Sequence, residues 1–250
     1  DIIGIDPLDD YKKYKIKFEV NEKNEFFLTS GQIVYIEGNI IDQNVIDVIS
    51  ITRGFQIQEY NMPDDLLRGP YELSSDPYGI YFMNGPYCPK EILDFGIFFE
   101  VLKEIAKKNP HMLIINGPFF STDNDAVKSC KYDTEVELIS IFKEISNMFR
   151  NVRTKIYICP GISDMDNFYP LPQPPFSKLN QYIEKELYNQ NNQHNITFIS
   201  NPQIIKFNEL ELAVLNYDVL KDIVGSSVHT TSTNNIDNAC EMILTQQNLY

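Results

Sequence analysis

The sequence predicts a mixed α/β (α+β) protein, with layered sheets covered by helices and a β-rich segment in front. Three observations carry this. The first sixty residues hold short β-branched runs between polar turns, and from Tyr78 apolar strands alternate with amphipathic helices. Near residue 200, close-set strands follow one another with only short turns between them.

In the N-terminal part, YKIKFEV (14–20), QIVYIEG (32–38) and VIDVISITR (45–53) read as strands and suit a small barrel or part of one. Residues 55–77 contain prolines and acidic residues without a steady period, so a boundary is expected there. The expected organisation is a β segment over 1–60, a linker over 61–77 and a second domain over 78–250.

YGIYFM (78–83) is a buried-strand candidate ending at Asn84-Gly85-Pro86. Pro89 suits a first helical turn, and Phe95, Phe98, Phe99, Leu102 and Ile105 recur at helical spacing until Asn109-Pro110. MLIIN (112–116) is the next strand and again ends in Asn-Gly-Pro. Thr134 and Glu137 form a capping box ahead of the stripe Leu138, Phe142, Ile145 and Phe149. The strand IYIC (156–159) then runs into PGISDMDN (160–167). This β-α-β-α-β series calls for a mostly parallel sheet. ITFIS (196–200), QIIKF (203–207) and LELAVLN (210–216) are expected to form an antiparallel sheet alongside it, and a last helix spans roughly 236–248. The polar run NQNNQHN (189–195) reads as an exposed loop, which makes His194 a surface residue.

At 250 residues with 43% hydrophobic composition, the chain can bury a substantial core. It shows no initiator Met, apolar run of membrane-spanning length or charged-then-apolar leader, so it reads as a soluble fragment of a longer protein with no membrane role. The formal charge of −14 speaks against tight nucleic-acid binding and suits solubility or a basic protein partner. Cys88, Cys130, Cys159 and Cys240 are scattered without a CxxC pair, which fits free thiols in the cytosol or nucleus.

Chemistry in open α/β folds gathers at the carboxyl ends of strands, which here read NGPY (84–87), NGPFFSTDN (116–124) and PGISDMDN (160–167). Their order and spacing resemble the calcineurin-like metallophosphoesterases, whose DxH, GDxxD and PGNHD loops hold two metals. Asn84 and Pro86 stand at the DxH positions, and Pro118 and Ser121 stand at the two acids of GDxxD. Ile162, Ser163 and Asp164 stand at the last three positions of PGNHD, so only Asp164 keeps its family identity. His229 is alone in SSVHTTS where the family has GHxH. A proline has no side-chain lone pair, so the resemblance implies the shape of a metal site without its ligands and no catalytic, metal or cofactor residue. Asp123, Asp125, Asp164 and Asp166 could in principle offer oxygens to one Mg²⁺, but an acidic loop without a histidine or basic clamp reads better as solvated surface. FYPLPQPPF (168–176) reads either as a polyproline ligand or, better, as a loop packing its aromatics onto its own domain.

A β segment followed by a phosphoesterase-like sheet with erased ligands resembles the B subunits of eukaryotic replicative DNA polymerases, and among them the alpha branch. SGQIVYIEGN (30–39), INGPFF (115–120), YPLPQPPFS (169–177), FISNPQIIKFNELELAVLNYDVL (198–220) and ILTQQNLY (243–250) carry the resemblance. It implies an oligonucleotide-binding (OB)-type barrel joined to an inactivated phosphoesterase domain. It also implies a nuclear accessory subunit of the DNA polymerase alpha–primase complex, with no enzyme activity of its own. The implied partner is the C-terminal zinc-binding domain of the catalytic subunit, with primase reached through the complex and DNA contacted only weakly. Two alternatives are an active metal-dependent phosphoesterase or nuclease, and an autonomous single-strand DNA-binding module. The missing ligands tell against the first. The acidic balance, with no basic run evident in residues 1–60, tells against the second.

Overall fold

The computed structural model describes residues 2–6, 8, 10–17, 26–53, 78–129, 133–176, 195–207, 210–229 and 234–246. The expected linker over 61–77, Cys130 and His194 lie outside the described residues. The chain divides into two compact units, one of Asp1–Pro70 with Asp218–Tyr250 and one of Tyr71–Tyr217. The sequence-based expectation places all of 78–250 in one domain.

The first unit contains a four-stranded sheet in the order β1-β2-β5-β4, formed by β1 (Ile2–Asp6), β2 (Lys12–Lys17), β4 (Val34–Asp42) and β5 (Val45–Arg53). β1 pairs antiparallel with β2, β2 parallel with β5, and β5 antiparallel with β4. The sequence reading does not include β1. Its run IIGID is short, ends in Asp6 and is followed by a proline, a weak strand signal until β2 pairs with it. Among the described residues β1 and β4 remain the two edges, and no pairing closes a barrel.

The same unit joins β3 (Phe27–Leu28) to β12 (Val228–His229) antiparallel and includes α4 (Val219–Ser226) and α5 (Asn235–Gln246). Phe27 is buried and stacks on His229, while Thr29 Oγ1 donates to Met242 Sδ at 3.0 Å. His229 is therefore engaged with its own unit, with Asn235 Nδ2 3.1 Å from its Nε2.

The second unit is built on a parallel sheet in the order β6-β7-β8-β9, from β6 (Ile80–Asn84), β7 (Met112–Asn116), β8 (Lys155–Cys159) and β9 (Ile196–Phe198). Every residue of β7 is buried, as a central parallel strand requires. Its side chains alternate between two layers. Leu113 and Ile115 pack with α1 (Gly96–Lys108) and α3 (Thr134–Met148), whereas Met112 and Ile114 pack with β10 (Gln203–Phe207) and β11 (Leu210–Val214). Helices therefore cover one face and the antiparallel β10-β11 hairpin covers the other.

Under the helices lies an aromatic cluster. Phe119 meets Phe142 at 5.2 Å edge to face, and Phe142 meets Phe198 at 5.1 Å. Each fully buried phenylalanine contributes about 2–3 kcal/mol through removal from water.

Three local expectations are corrected. ITFIS contributes β9 to the parallel sheet instead of the antiparallel one, because Ile156–Ile158 offer it a register across a long connection that sequence patterning does not show. Pro89 lies in a loop, and α1 begins only at Gly96 after Phe95. The cap of α3 is Asp133, whose side chain accepts from Val136 N, while Thr134 is the first helical residue and donates to Asp166 Oδ1. Asp and Thr are both competent caps, and their adjacency leaves the choice to tertiary contacts.

Candidate functional site

Parallel register brings the strand ends together. Asn84 pairs with Asn116 and Asn116 with Cys159, so the loops that follow β6, β7 and β8 emerge side by side. The ladder continues one step further, with Gly85 N donating to Asn116 O at 2.9 Å and Gly117 N to Cys159 O at 2.8 Å. Three sequence-distant turns thereby become one platform.

Asp164 is the centre of that platform and is 1% exposed. Its Oδ1 accepts from Phe119 N at 2.6 Å and Phe120 N at 3.1 Å, and its Oδ2 accepts from Gly161 N at 2.8 Å. Both carboxylate oxygens therefore face backbone donors of two loops. Gly117 and Gly161 permit this closeness. A Cβ on Gly117 would run into Asp164 Oδ2 and lie 2.7 Å from Gly161 N, and a Cβ on Gly161 would lie 2.7 Å from Pro118 N.

The other expected positions surround this clamp. Asn84 is exposed and accepts from Asn116 Nδ2 at 2.8 Å, and Pro86 is exposed beside it. Pro118 is half-buried among Gly85, Gly117 and Gly161. Ser121 is half-buried, forms a backbone bridge with Asp164, and its Oγ accepts from Asp123 N at 3.1 Å. Ser163 presents its carbonyl to Thr122 N at 2.8 Å, and Ile162 points outward at 41% exposure.

Sequence reasoning missed a layer of amides, Gln173 and Asn201 buried and Asn216 half-buried, that brace the platform. Asn216 Nδ2 donates to Gly117 O at 2.9 Å and Pro160 O at 3.0 Å. Gln173 Nε2 donates to Gly161 O and Asn167 O, and Asn201 Nδ2 to Gln173 Oε1 at 2.9 Å. In FYPLPQPPF, Phe176 packs into the aromatic cluster as expected, whereas Phe168 and Tyr169 are exposed. Asn124, within the NGPFFSTDN run, caps α2 (Asp125–Lys128) by accepting from Ala126 N and Val127 N.

The electrostatics follow from burial. Desolvation pushes the Asp164 carboxyl up to about 6 against the pull of its three N–H donors, with Asp166 adding to the rise. Burial, helped by the Asp164 charge, also pushes the Cys159 thiol up to about 12 and the Tyr87 phenol well above its ordinary range. Tyr87 Oη donates to Asn116 O at 2.7 Å.

The raised carboxyl carries a pH signature. Between about pH 4 and 6 the folded chain keeps a proton on Asp164 that the unfolded chain has released, so this site loses stability as pH rises through that window, by about 3 kcal/mol in all. Urea unfolding of the native chain and Asp164→Asn is expected to show a stability difference that shrinks by about 2–3 kcal/mol from pH 4 to pH 7. A difference that stays constant with pH rejects this account.

Among the described residues no group of three or more His, Cys, Asp or Glu side chains is placed to hold a metal ion. Asp166 receives the Thr134 hydroxyl, and Asp125 lies 3.9 Å from Lys128. None of the described helices is long and apolar enough to cross a membrane.

One feature of the first unit also escapes the sequence reading. β2 reads KKYKIK, with Lys13, Lys15 and Lys17 at alternating positions of one face and Lys12 Nζ 5.0 Å from the Tyr14 ring centroid. A local basic strand thus exists within an acidic chain.

The family model for the DNA polymerase alpha/epsilon B subunit matches residues 80–250. The chain is similar to the DNA polymerase alpha B subunit of Dictyostelium discoideum, at 27% identity over 68% of this chain and 26% of the relative. The Bos taurus protein of the same name is 22% identical over 94% of this chain and 38% of its own length. The Saccharomyces cerevisiae one is 23% identical over 94% and 34%. The chain thus spans from about a quarter to two-fifths of the length of these curated relatives.

Proposed function

The chain belongs to the family of DNA polymerase alpha/epsilon B subunits, and from that premise we propose that it is a non-catalytic scaffold subunit of the DNA polymerase alpha–primase complex. It works in the nucleus in primer synthesis. Its partner is the C-terminal zinc-binding domain of the catalytic subunit, primase is reached through the complex, and DNA is contacted only weakly. The first sixty residues act as an OB-type module, 61–77 as a linker, and the chain from 78 onward as an inactivated phosphoesterase-like domain.

The observation that carries this reading is the state of Asp164. Its two oxygens are taken up by Phe119 N, Phe120 N and Gly161 N, and Pro118 stands beside it without a lone pair to offer. A carboxylate turned inward onto backbone serves rigidity, and a rigid fold that turns this retained acid away from solvent suits binding of another protein. The charge of −14 favours a basic partner.

Size-exclusion chromatography with the catalytic subunit's C-terminal domain is expected to give co-elution at both low and high salt, because an apolar interface is not screened. A second reading, single-strand DNA binding, rests on the lysines of β2. Fluorescence anisotropy with a labelled oligonucleotide separates the two. Tight, salt-sensitive binding to the oligonucleotide without co-elution would replace the scaffold reading, and stoichiometric uptake of two Mn²⁺ ions with hydrolysis would replace both.

A further inference from the structure

The loop that follows β8 combines two properties that rarely occur together: a backbone held from many sides and large apolar side chains directed into water. Ile162 is 41% exposed, Met165 43%, Phe168 73% and Tyr169 51%, all within one segment of the chain. The backbone between them is anchored. Asp164 is clamped as described, Met165 N donates to Phe120 O at 3.0 Å, and Asn167 is buried with its Nδ2 donating to Pro174 O at 2.8 Å. Gln173, also buried, donates to Asn167 O at 3.1 Å.

Phe168 and Tyr169 thus project from a stretch fixed at both ends. Exposed aromatic and methionine side chains concentrate in the cores of protein interfaces, and anchors held in place before binding lose little entropy when they bind. The surroundings carry exposed carboxylates with one lysine among them, Lys128, whose Nζ lies 3.9 Å from Asp125 Oδ1 and donates to Asp123 O at 3.3 Å. Thr122 N bonds to Ser163 O, which sets the neighbouring loop against this one, and that loop carries the exposed Asp123 and Asp125.

We propose that the 162–169 loop is a docking surface for a folded protein that offers an apolar pocket rimmed by Lys and Arg. Phe168 and Tyr169 fill the pocket, and Asp123 and Asp125 face the basic rim. This rests on the scaffold reading and locates the surface through which the catalytic subunit's C-terminal domain is held.

The test compares three variants of the full chain for binding to that domain by calorimetry. Phe168→Ser/Tyr169→Ser removes the anchors. Asp123→Lys/Asp125→Lys reverses the rim. Ile97→Ser/Val101→Ser alters two exposed apolar residues on the outer face of α1 as a control. The anchor variant is expected to keep its melting temperature, since both side chains are exposed, and to bind at least tenfold more weakly. The rim variant is expected to bind about fivefold more weakly at low salt and nearly normally at high salt. The control is expected to bind as the native chain does.

Native-like binding by the anchor variant overturns the docking surface while leaving the scaffold reading intact, and so does an equal loss in the control. Failure of the native chain itself to bind overturns both.

Discussion

Gly117→Ala is expected to lower the stability of the second unit by about 4 kcal/mol or more, a fall in melting temperature of roughly 10 °C. The added methyl group would meet Asp164 Oδ2 and lie 2.7 Å from Gly161 N, and neither is the free end of a flexible side chain. Asp164 is held by its three N–H donors, and Gly161 is backbone. Relief would require the loops after β7 and β8 to separate, which breaks the clamp and the Asn216 bonds to Gly117 O and Pro160 O together. Thermal unfolding followed by circular dichroism reads the loss. A change below about 1 kcal/mol would mean that the loops yield easily and that the clamp is not rigid.

Asp164→Ala is the second large effect, about 3 kcal/mol at pH 7 and more at pH 4.5. Removing the carboxylate leaves Phe119 N, Phe120 N and Gly161 N without that acceptor in a site from which water is excluded. Part of the loss is offset at neutral pH because an ionised buried carboxylate is itself costly, and that offset disappears once the group is protonated. The two substitutions share a contact, so they should not add. Gly117→Ala in the Asp164→Ala background is expected to cost about 1–2 kcal/mol less than in the native chain, with the remainder due to Gly161 N. Strict additivity in a double-mutant cycle would show that the methyl group and the carboxylate never compete for space.

The parts of the fold legible in the sequence are those decided locally. MLIIN reads as a buried strand because a continuous apolar run stops at Asn-Gly-Pro, and α3 reads as a helix because Leu138, Phe142 and Ile145 recur on one face. Partner choice is not local, which is why the sequence pattern assigns ITFIS the wrong neighbours. The candidate site divides in the same way. That prolines stand at Pro86 and Pro118 and an acid at Asp164 is plain from residue identity, and so is the gathering of the three turns at strand ends. The direction of the Asp164 carboxylate is not, because it depends on the backbone donors of Phe119 and Phe120, which lie 45 and 44 positions earlier. Gln173, Asn201 and Asn216 escape notice for the same reason: isolated amides in loops carry no pattern, and only the folded chain gathers them around Gly117, Pro160 and Gly161. The basic strand β2 is hidden differently, since its four lysines are masked by the acidic balance of the whole chain.

The wide separation of the groups joined at Asp164 also bears on the order in which the molecule assembles. Asn216 reaches Gly117 across 99 positions and Asp164 reaches Phe119 across 45, so these bonds close large loops of chain. Closure of that kind follows after nearer contacts have shortened the distance, and here those contacts are the packing of α1 and α3 onto β7 and β8. Until then the carboxylate remains in water, where its charge costs nothing. The strand-end platform is therefore expected to form late on the folding route, which φ-values near zero for substitutions at Asp164 and Gly117 would show. Its contribution falls on the rate at which the finished molecule opens and leaves the rate at which it first forms nearly untouched.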